Sequence, residues 1–263
     1  MIISRTPFRV SLFGGGTDYP TWFNKHGGAV LGMAINKYCY ISVRHLPPFF
    51  EHKHRIVYSK VENVKTIKEI KHPAVRAVFQ ELNVNGGMEV HHDGDLPARS
   101  GLGSSSSFVV GLLNSLRALE GKISNQAYLA EKATHIEQEV LRENVGNQDQ
   151  IWAASGGFNR IDFMTDGSYR QTPMIPSKAR EQELTGSLML FFTGISRFAS
   201  DIAGKKIANL DKRPNQLNRM VEMVDEAQEI IINPNRPLKE IGKLLYESWL
   251  LKRDLANGVS NDK

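Results

Sequence analysis

The chain has little cysteine and no long hydrophobic run, and each absence excludes a class of protein. Cys39 is the only cysteine among 263 residues, which excludes an internal disulfide and a cysteine-based zinc cluster. No segment reaches the ~18 consecutive apolar residues that a membrane-spanning helix needs. The N-terminal sequence passes directly into patterned sequence, with no signal peptide ahead of it. We therefore expect a cytoplasmic protein without a membrane partner.

A strong excess of one charge is also lacking. Lys and Arg total 33 against 28 Asp and Glu, a net charge of +5 with histidine neutral. Such a mild surplus suits a small anionic substrate as well as a nucleic acid. Hydrophobic residues make up 41% and charged residues 23%, which is typical of a globular protein. At roughly 100–200 residues per domain, the length predicts one large domain or two modest ones.

The hydrophobic periodicity changes along the chain from strand-like to helical. Strands are predicted over residues 9–13, 38–46, 55–59, 88–92, 156–164 and 187–193. Helices are predicted over 73–83, over 104–119, from an N-cap at Ser124 to about Arg142, and from about Arg197 onward. The elements follow no regular βαβ rhythm, which favours an α+β fold. A polar run over 177–183 predicts a domain boundary near residue 180.

The serine loop, residues 96–107, is the strongest local signal, with the sequence Leu-Pro-Ala-Arg-Ser-Gly-Leu-Gly-Ser-Ser-Ser-Ser. Its glycines let the backbone approach a ligand, and its serines open a helix whose N–H groups and dipole favour phosphate. Hydroxyls there can also ligate Mg²⁺ that bridges phosphate oxygens. An ordinary turn with a serine N-cap explains the loop equally well. The P-loop pattern and the Gly-x-Ser-x-Gly elbow are both absent from the sequence.

The second signal is a strand that carries Arg9 and ends in Gly14-Gly15-Gly16-Thr17-Asp18-Tyr19, here called the glycine turn. The carboxylate of Asp18 could hold a polyol, because it can accept two hydroxyl hydrogen bonds at once. A tight turn with a helix-capping aspartate is the plainer interpretation, and taken alone it is favoured.

The third signal is a carboxylate pair, Glu137 and Asp149. Such a pair can divide metal binding from proton transfer, although its spacing alone is weak evidence.

Together these segments resemble the GHMP kinases, the galacto-, homoserine, mevalonate and phosphomevalonate kinases. The strand and glycine turn resemble the motif Pro-x-Arg/Lys-Val-x-Leu-x-Gly-x-x-Thr-Asp-Tyr, and the serine loop resembles the ATP-binding motif Pro-x-x-x-Gly-Leu-x-Ser-Ser. The resemblance implies a two-domain α+β GHMP kinase fold, with a ribosomal-protein-S5-like N-terminal domain over 1–180 and a ferredoxin-like C-terminal domain over 181–263. The family's third, glycine-rich motif does not occur before Lys263, so we expect the second domain to be incomplete.

The resemblance also implies roles for individual residues. Asp149 matches the catalytic base, and Arg9 matches the basic residue that lowers the pKa of the acceptor hydroxyl or steadies the transferring phosphate. Ser105 and Glu137 match the ligands of Mg²⁺. The residues that match the binding site for the ATP phosphates are Gly101, Leu102, Gly103, Ser104, Ser105 and Ser106.

The acceptor site is implied by the glycine turn. The residues expected to contact the sugar are Gly15, Gly16, Thr17 and Asp18. Two arginines are candidates for holding a substrate phosphate, because an arginine fork can bind two oxygens. They are Arg197, predicted to lie between a strand end and a helix start, and Arg99 in the serine loop.

The substrate is suggested by a departure from the galactokinases. Gly15 and Gly16 replace their Glu-His pair, so the galactose contacts are absent. Residues 13–20 and 194–197 instead resemble the D-glycero-D-manno-heptose 7-phosphate kinase branch, to which fucokinase-type enzymes are related. This resemblance implies ATP- and Mg²⁺-dependent phosphorylation of the anomeric hydroxyl to the 1,7-bisphosphate, in nucleotide-activated heptose synthesis for surface polysaccharide. A fucokinase-like sugar-1-kinase and a non-catalytic binding remnant stay open as alternatives.

The sequence also predicts which partners the protein binds. The expected partners are the phosphorylated sugar, ATP and a second copy of the chain in a homodimer. A nucleic acid is not expected, because the cluster His52-Lys53-His54-Arg55 lacks an aromatic-interleaved basic stripe around it. A histidine metal site is not expected either, since the adjacent His91 and His92 would point to opposite faces of a strand.

Overall fold

The structure is a computed structural model that describes residues 1–98, 100–191, 207 and 210–255. Its strands are β1 (Ile2–Phe13), β2 (Gly28–His45), β3 (His54–Val57), β4 (Val61–Val64), β5 (Met88–Gly94), β6 (Phe158–Phe163) and β7 (Tyr169–Pro173). Its α-helices are α1 (Pro20–His26), α2 (Pro73–Glu81), α3 (Ser104–Leu119), α4 (Gln126–His135), α5 (Gln148–Ser155), α6 (Lys178–Gly186), α7 (Pro214–Ile232) and α8 (Lys239–Leu255). A 3₁₀ turn covers Ile67–Glu69 and a π-helical turn covers Ile136–Val140.

The chain divides into two compact units, each assembled from separate stretches of sequence. Unit 1 comprises residues 1–9, 34–143 and 149–156, and unit 2 comprises residues 10–33, 144–148 and those from 157 onward. These units do not coincide with a division at residue 180, because residues on both sides of it share the core of unit 2. The division into 1–180 and 181–263 stays a prediction about domain organisation.

Unit 1 packs helices against a sheet. The second half of β2 pairs antiparallel with β5, β5 pairs parallel with β3, and β3 pairs antiparallel with β4. The predicted helix over 104–119 is confirmed as α3 with the same limits. Its apolar residues recur every three or four positions, so they form one wide face that packs into the core. The core includes Phe8, Ile41, Phe79 and Leu112.

Unit 2 contains the first half of β2, which pairs antiparallel with β6, and β6 pairs antiparallel with β7. Leu12, Leu31 and Leu184 share its core with residues of α7 such as Val224. Arg180 of α6 is buried and donates hydrogen bonds to the carbonyl oxygens of residues 230, 231 and 236. The carbonyls of residues 230 and 231 belong to the last turn of α7, where carbonyl oxygens have no partner within the helix, and Arg180 satisfies them.

Three local predictions are corrected. The N-cap of α4 is Asn125, whose Oδ1 accepts from the Tyr128 N–H at 2.7 Å, and Ser124 is not the cap. The predicted helix to about Arg142 is α-helical only as far as His135, and residues 136–140 form the π-helical turn instead. The strand predicted over 187–193 is wrong for residues 187–191, because Ser187 ends α6 and the following four residues are in no strand. Within the described helices, none combines the length and apolar character needed to cross a membrane.

Candidate active site

The serine loop of unit 1 leads into helix α3. Gly101 and Gly103 have φ angles of +79° and +75°, a region that a residue with a side chain adopts only with strain. Gly103 is the N-cap of α3, and no side chain caps the helix. The first N–H groups of α3 therefore form a site suited to an anion. This geometry is compatible with the predicted binding of ATP phosphates by residues 101–106, which stays a prediction.

The serines at the start of α3 differ in their surroundings. Ser107 Oγ donates to the Pro7 carbonyl oxygen at 2.8 Å, and Ser106 Oγ donates to Glu137 Oε2 at 2.8 Å. Ser105 is exposed. The hydroxyl that contacts Glu137 is therefore that of Ser106, whereas the sequence pattern pairs Ser105 with Glu137 as metal ligands. Successive side chains on a helix point about 100° apart, so only one of them can face the buried carboxylate.

Glu137 is a fully buried carboxyl group. Its Oε2 accepts from Ser106 and from the side-chain amide of Gln150, and Oε1 has no hydrogen-bond partner among the described residues. Burial raises the pKa of Glu137 to about 8, and the hydrogen bonds from Ser106 and Gln150 act against this rise. The nearby carboxyl groups of Glu143 and Asp149 raise it further. Near pH 7 the protonated form of Glu137 is therefore favoured in this state.

These features of Glu137 fit the predicted magnesium site. Its Oε1 is a buried oxygen that lacks a partner, and Mg²⁺ is a hard cation that binds oxygen ligands. Within the described residues, no group of three or more His, Cys, Asp or Glu side chains could hold a metal. Mg²⁺ commonly binds through one or two carboxylates together with substrate phosphates. The residues present therefore fit a metal ion that arrives with the nucleotide.

Without metal or nucleotide, Glu137 is expected to make the protein less stable at higher pH. Its folded pKa of about 8 lies above the ordinary 4.5, so the folded state binds more protons between these values. The contribution of Glu137 to the free energy of unfolding is complete below about pH 4.5 and is lost as the pH rises through about 8. Between pH 6 and pH 9 the melting temperature of the wild type is expected to fall, and that of Glu137→Gln is expected to fall less.

The control for this prediction is Glu139→Gln, since Glu139 is an exposed carboxylate on the same π-helical turn. This variant is expected to keep the pH dependence of the wild type. If Glu137→Gln also keeps it, the raised pKa of Glu137 does not contribute to stability.

Arg9 and Asp149 form a two-point ion pair in unit 1. Arg9 Nε lies 2.7 Å from Asp149 Oδ1, and Nη2 lies 2.6 Å from Oδ2. Arg9 Nη1 donates to the Gly101 carbonyl oxygen at 2.8 Å, and the Arg9 backbone N–H donates to the Leu102 carbonyl oxygen at 3.1 Å. A methyl group on Gly103 would lie 3.1 Å from Arg9 Cγ. Arg9 thus fixes the orientation of Asp149 against the serine loop, a pairing that the sequence analysis did not predict.

The glycine turn of unit 2 is held by Thr17. Gly14 has a φ of +79°, and a methyl group on it would lie 1.9 Å from the Ala29 carbonyl oxygen. The Thr17 hydroxyl lies 2.9 Å from the carbonyl oxygens of Gly14 and Ala29 and accepts from the Ala29 N–H at 3.1 Å. Thr17 is fully buried. The predicted sugar contact of Thr17 does not fit this geometry, because its hydroxyl is already used within the turn.

Asp18 is a buried carboxylate, and the structure does not support the plainer interpretation that it caps a helix. The N-cap of α1 is Tyr19, without a side-chain cap. Asp18 Oδ1 accepts from the Gly16 N–H at 2.8 Å, and Oδ2 accepts from Gln148 Nε2 at 2.8 Å. A methyl group on Gly146 would lie 1.9 Å from Oδ2, so glycine is required there. The turn therefore holds Asp18 in one orientation.

The predicted site residues fall into both units. Arg9, residues 101–106, Glu137 and Asp149 belong to unit 1, whereas Gly15, Gly16, Thr17 and Asp18 belong to unit 2. Arg197 and Arg99 lie outside the described residues. Sequence reasoning missed Gln148 and Gln150, which contact Asp18 and Glu137 respectively. Their position on either side of Asp149 was the signal that could have indicated them.

Comparison with known proteins identifies kinases as the proteins that this chain resembles. Residues 65–157 match the family of the GHMP kinases N terminal domain. Over this segment the chain is similar to the GHMP kinases, and the predicted α+β GHMP kinase fold is confirmed by solved structures. A D-glycero-D-manno-heptose 1-phosphate kinase from Bacteriodes thetaiotaomicron superposes with a TM-score of 0.80 at 21% identity, over 97% of this chain and 80% of that one. The Methanococcus jannaschii mevalonate kinase superposes with a TM-score of 0.69 at 17% identity, over 100% and 81%.

Curated relatives include sugar kinases of the predicted branch. The chain is 26% identical to the D-glycero-alpha-D-manno-heptose 7-phosphate kinase of Campylobacter jejuni, over the whole of this chain and 80% of that protein. It is 25% identical to the bifunctional fucokinase/GDP-fucose pyrophosphorylase of Arabidopsis thaliana, over 97% of this chain but only 26% of that protein. The resemblance to the heptose kinase branch, with fucokinases as relatives, is thereby confirmed.

Proposed function

We propose that this chain is an ATP- and Mg²⁺-dependent sugar kinase that phosphorylates the anomeric hydroxyl of D-glycero-D-manno-heptose 7-phosphate, giving the 1,7-bisphosphate. The observation that carries the proposal is the ion pair of Arg9 and Asp149, which is fixed against the uncapped start of α3. A carboxylate, a cation and a helix start suited to phosphate thus meet within one unit. The choice of sugar is supported by the Campylobacter jejuni relative.

Phosphoryl transfer requires positioning, neutralisation of phosphate charge and the handling of one proton. In the proposed reaction Asp149 accepts the proton of the acceptor hydroxyl, and the two hydrogen bonds from Arg9 keep the carboxylate oriented. The N–H groups at the start of α3 bind phosphate oxygens. Mg²⁺ held by Glu137 would supply further neutralisation of phosphate charge.

Asp18 is the proposed anchor for the sugar hydroxyls. An ionised carboxylate offers roughly four lone-pair sites on its two oxygens, a number that suits a polyol with several hydroxyls. The hydrogen bonds from Gly16 and Gln148 fix the orientation of the Asp18 carboxylate. Gly15 and Gly16 keep side-chain atoms out of the turn beside it.

The proposed product carries a phosphate on its anomeric oxygen, the position at which nucleotide-activated sugars are built, and we place the reaction in the cytoplasm. Its use in surface polysaccharide synthesis rests on the branch to which the chain is similar. The homodimer stays a prediction.

A substrate panel tests the proposal directly. ADP release is measured with Mg²⁺-ATP and heptose 7-phosphate, the same heptose without phosphate, L-fucose or galactose. Heptose 7-phosphate is expected to give the highest kcat/KM. Turnover of L-fucose without turnover of heptose 7-phosphate would assign the chain to the fucokinase-like alternative. A melting temperature that rises with Mg²⁺-ATP, with no turnover of any sugar, would indicate a non-catalytic binding protein.

A further inference from the structure

Three polar side chains converge on Gly15 within unit 2. A methyl group on Gly15 would lie 3.3 Å from Ser11 Oγ, 3.5 Å from Lys252 Nζ and 3.6 Å from Gln148 Nε2. Ser11 comes from β1, Gln148 from the start of α5 and Lys252 from the last turn of α8. We call these residues, with Gly15, the Gly15 cluster.

The Gly15 cluster contains two buried polar atoms that lack a protein partner. Ser11 Oγ and Gln148 Oε1 are buried, and neither has a hydrogen-bond partner in the described part of the chain. Gln148 is only 9% exposed, and its amide nitrogen is already held by Asp18 Oδ2 at 2.8 Å. Buried polar atoms in proteins are nearly always hydrogen-bonded. The two atoms therefore indicate a place where a bound molecule supplies the missing partner.

Backbone conformation does not explain why residue 15 is a glycine. Gly14 and Gly16 have positive φ angles, whereas Gly15 does not, so alanine could adopt its conformation. A methyl group there would occupy the space in front of Ser11, Lys252 and Gln148. The absence of a side chain at Gly15 therefore leaves room for an atom of a ligand beside these groups.

We propose that the Gly15 cluster binds the charged end of the acceptor, a sugar phosphate. Ser11 Oγ and Lys252 Nζ donate to phosphate oxygens, and Gln148 Oε1 accepts from a sugar hydroxyl. A hydroxyl donor and a lysine cation suit a phosphate group, and the neighbouring Asp18 suits the polyol. This inference rests on the proposed function. It assigns the phosphate contact to Lys252, outside the family's motifs, and to Ser11, at a variable position of the first motif.

The test compares Lys252→Met with Lys243→Met, because Lys243 is an exposed lysine of the same helix. Lys252→Met is expected to raise the KM for heptose 7-phosphate about tenfold or more, the range for a hydrogen bond to a charged group. The KM for ATP and the KM for the unphosphorylated heptose are expected to change less than twofold. Lys243→Met is expected to match the wild type. Equal losses with both sugars would overturn the inference while the proposed function stands.

Binding of heptose 7-phosphate by calorimetry gives a readout that does not require turnover. Wild-type protein is expected to bind it, Lys252→Met to bind it more weakly, and Gly15→Ala to bind both the phosphorylated and the unphosphorylated sugar more weakly. Unchanged melting temperatures show that the variants are folded. A further outcome is that the wild type binds heptose 7-phosphate while Lys252→Met does not, with no sugar turned over by either protein. That result would overturn the proposed kinase function and support the inference. Full binding by Gly15→Ala and Lys252→Met would overturn the inference alone.

Discussion

Asp149→Asn is expected to lower kcat by about 10²–10⁴, the range for a positioned acid–base group, and to leave ATP binding near that of the wild type. Asparagine has nearly the same size but no negative charge, so it cannot accept the proton of the acceptor hydroxyl. Its NH₂ group would also face one of the two Arg9 donors that now bind Oδ1 and Oδ2. The measurement is steady-state turnover, combined with the Kd for ATP.

The control for the asparagine variant is Glu131→Gln, which removes an exposed carboxylate from α4 and is expected to retain wild-type turnover. If Asp149→Asn also retains it, the carboxylate has only a structural role. A large rise in the Kd for ATP would instead mean that Asp149 supports the nucleotide site.

Arg9→Lys is expected to lower kcat by about 10²-fold, the loss associated with a misplacement of about 1 Å in an active site. Lysine keeps the positive charge. However, its ammonium group lacks the planar fork and cannot bind both Asp149 oxygens and the Gly101 carbonyl as Arg9 does. The control is Arg44→Lys, because Arg44 also pairs with a carboxylate in unit 1, that of Glu89.

Combining Arg9→Lys with Asp149→Asn tests whether the two side chains act together. Residues that act as a unit show strongly non-additive losses. The double variant is therefore expected to be no slower than the poorer of the two single variants. Losses that multiply would show that Arg9 contributes independently of Asp149.

Local features of the fold were predictable where one periodicity dominated the sequence. The apolar face of α3 and its serine start gave the correct limits of that helix. The helix α6 was missed because its sequence is polar and resembles a linker. Its position depends on the buried Arg180, whose carbonyl partners belong to α7 about 50 residues later, and periodicity carries no information about such contacts.

The candidate site was predictable as a set of residues but not as an arrangement. Motif resemblance selected Arg9, Asp149 and Glu137, yet the hydrogen bonds of Arg9 to Asp149 span 140 positions. The choice of Ser106 over Ser105 as the partner of Glu137 depends on the rotation of α3 about its axis. Gln148 and Gln150 are indicated in the sequence only by their position beside Asp149, and their contacts with the buried carboxyl groups of Asp18 and Glu137 appear only in the structure.

The construction of unit 1 from three stretches of sequence affects how the protein folds during synthesis. Residues 2–9 of β1 leave the ribosome early, but α5 does not exist until Ser155 has been made. At roughly 5–20 residues per second, Asp149 is synthesised about 7–28 s after Arg9. During that interval unit 1 lacks α5, which contributes Ala153 to its core, and apolar surface left exposed in this way can associate with other chains. We therefore expect the nascent chain to depend on chaperones until α5 has been translated.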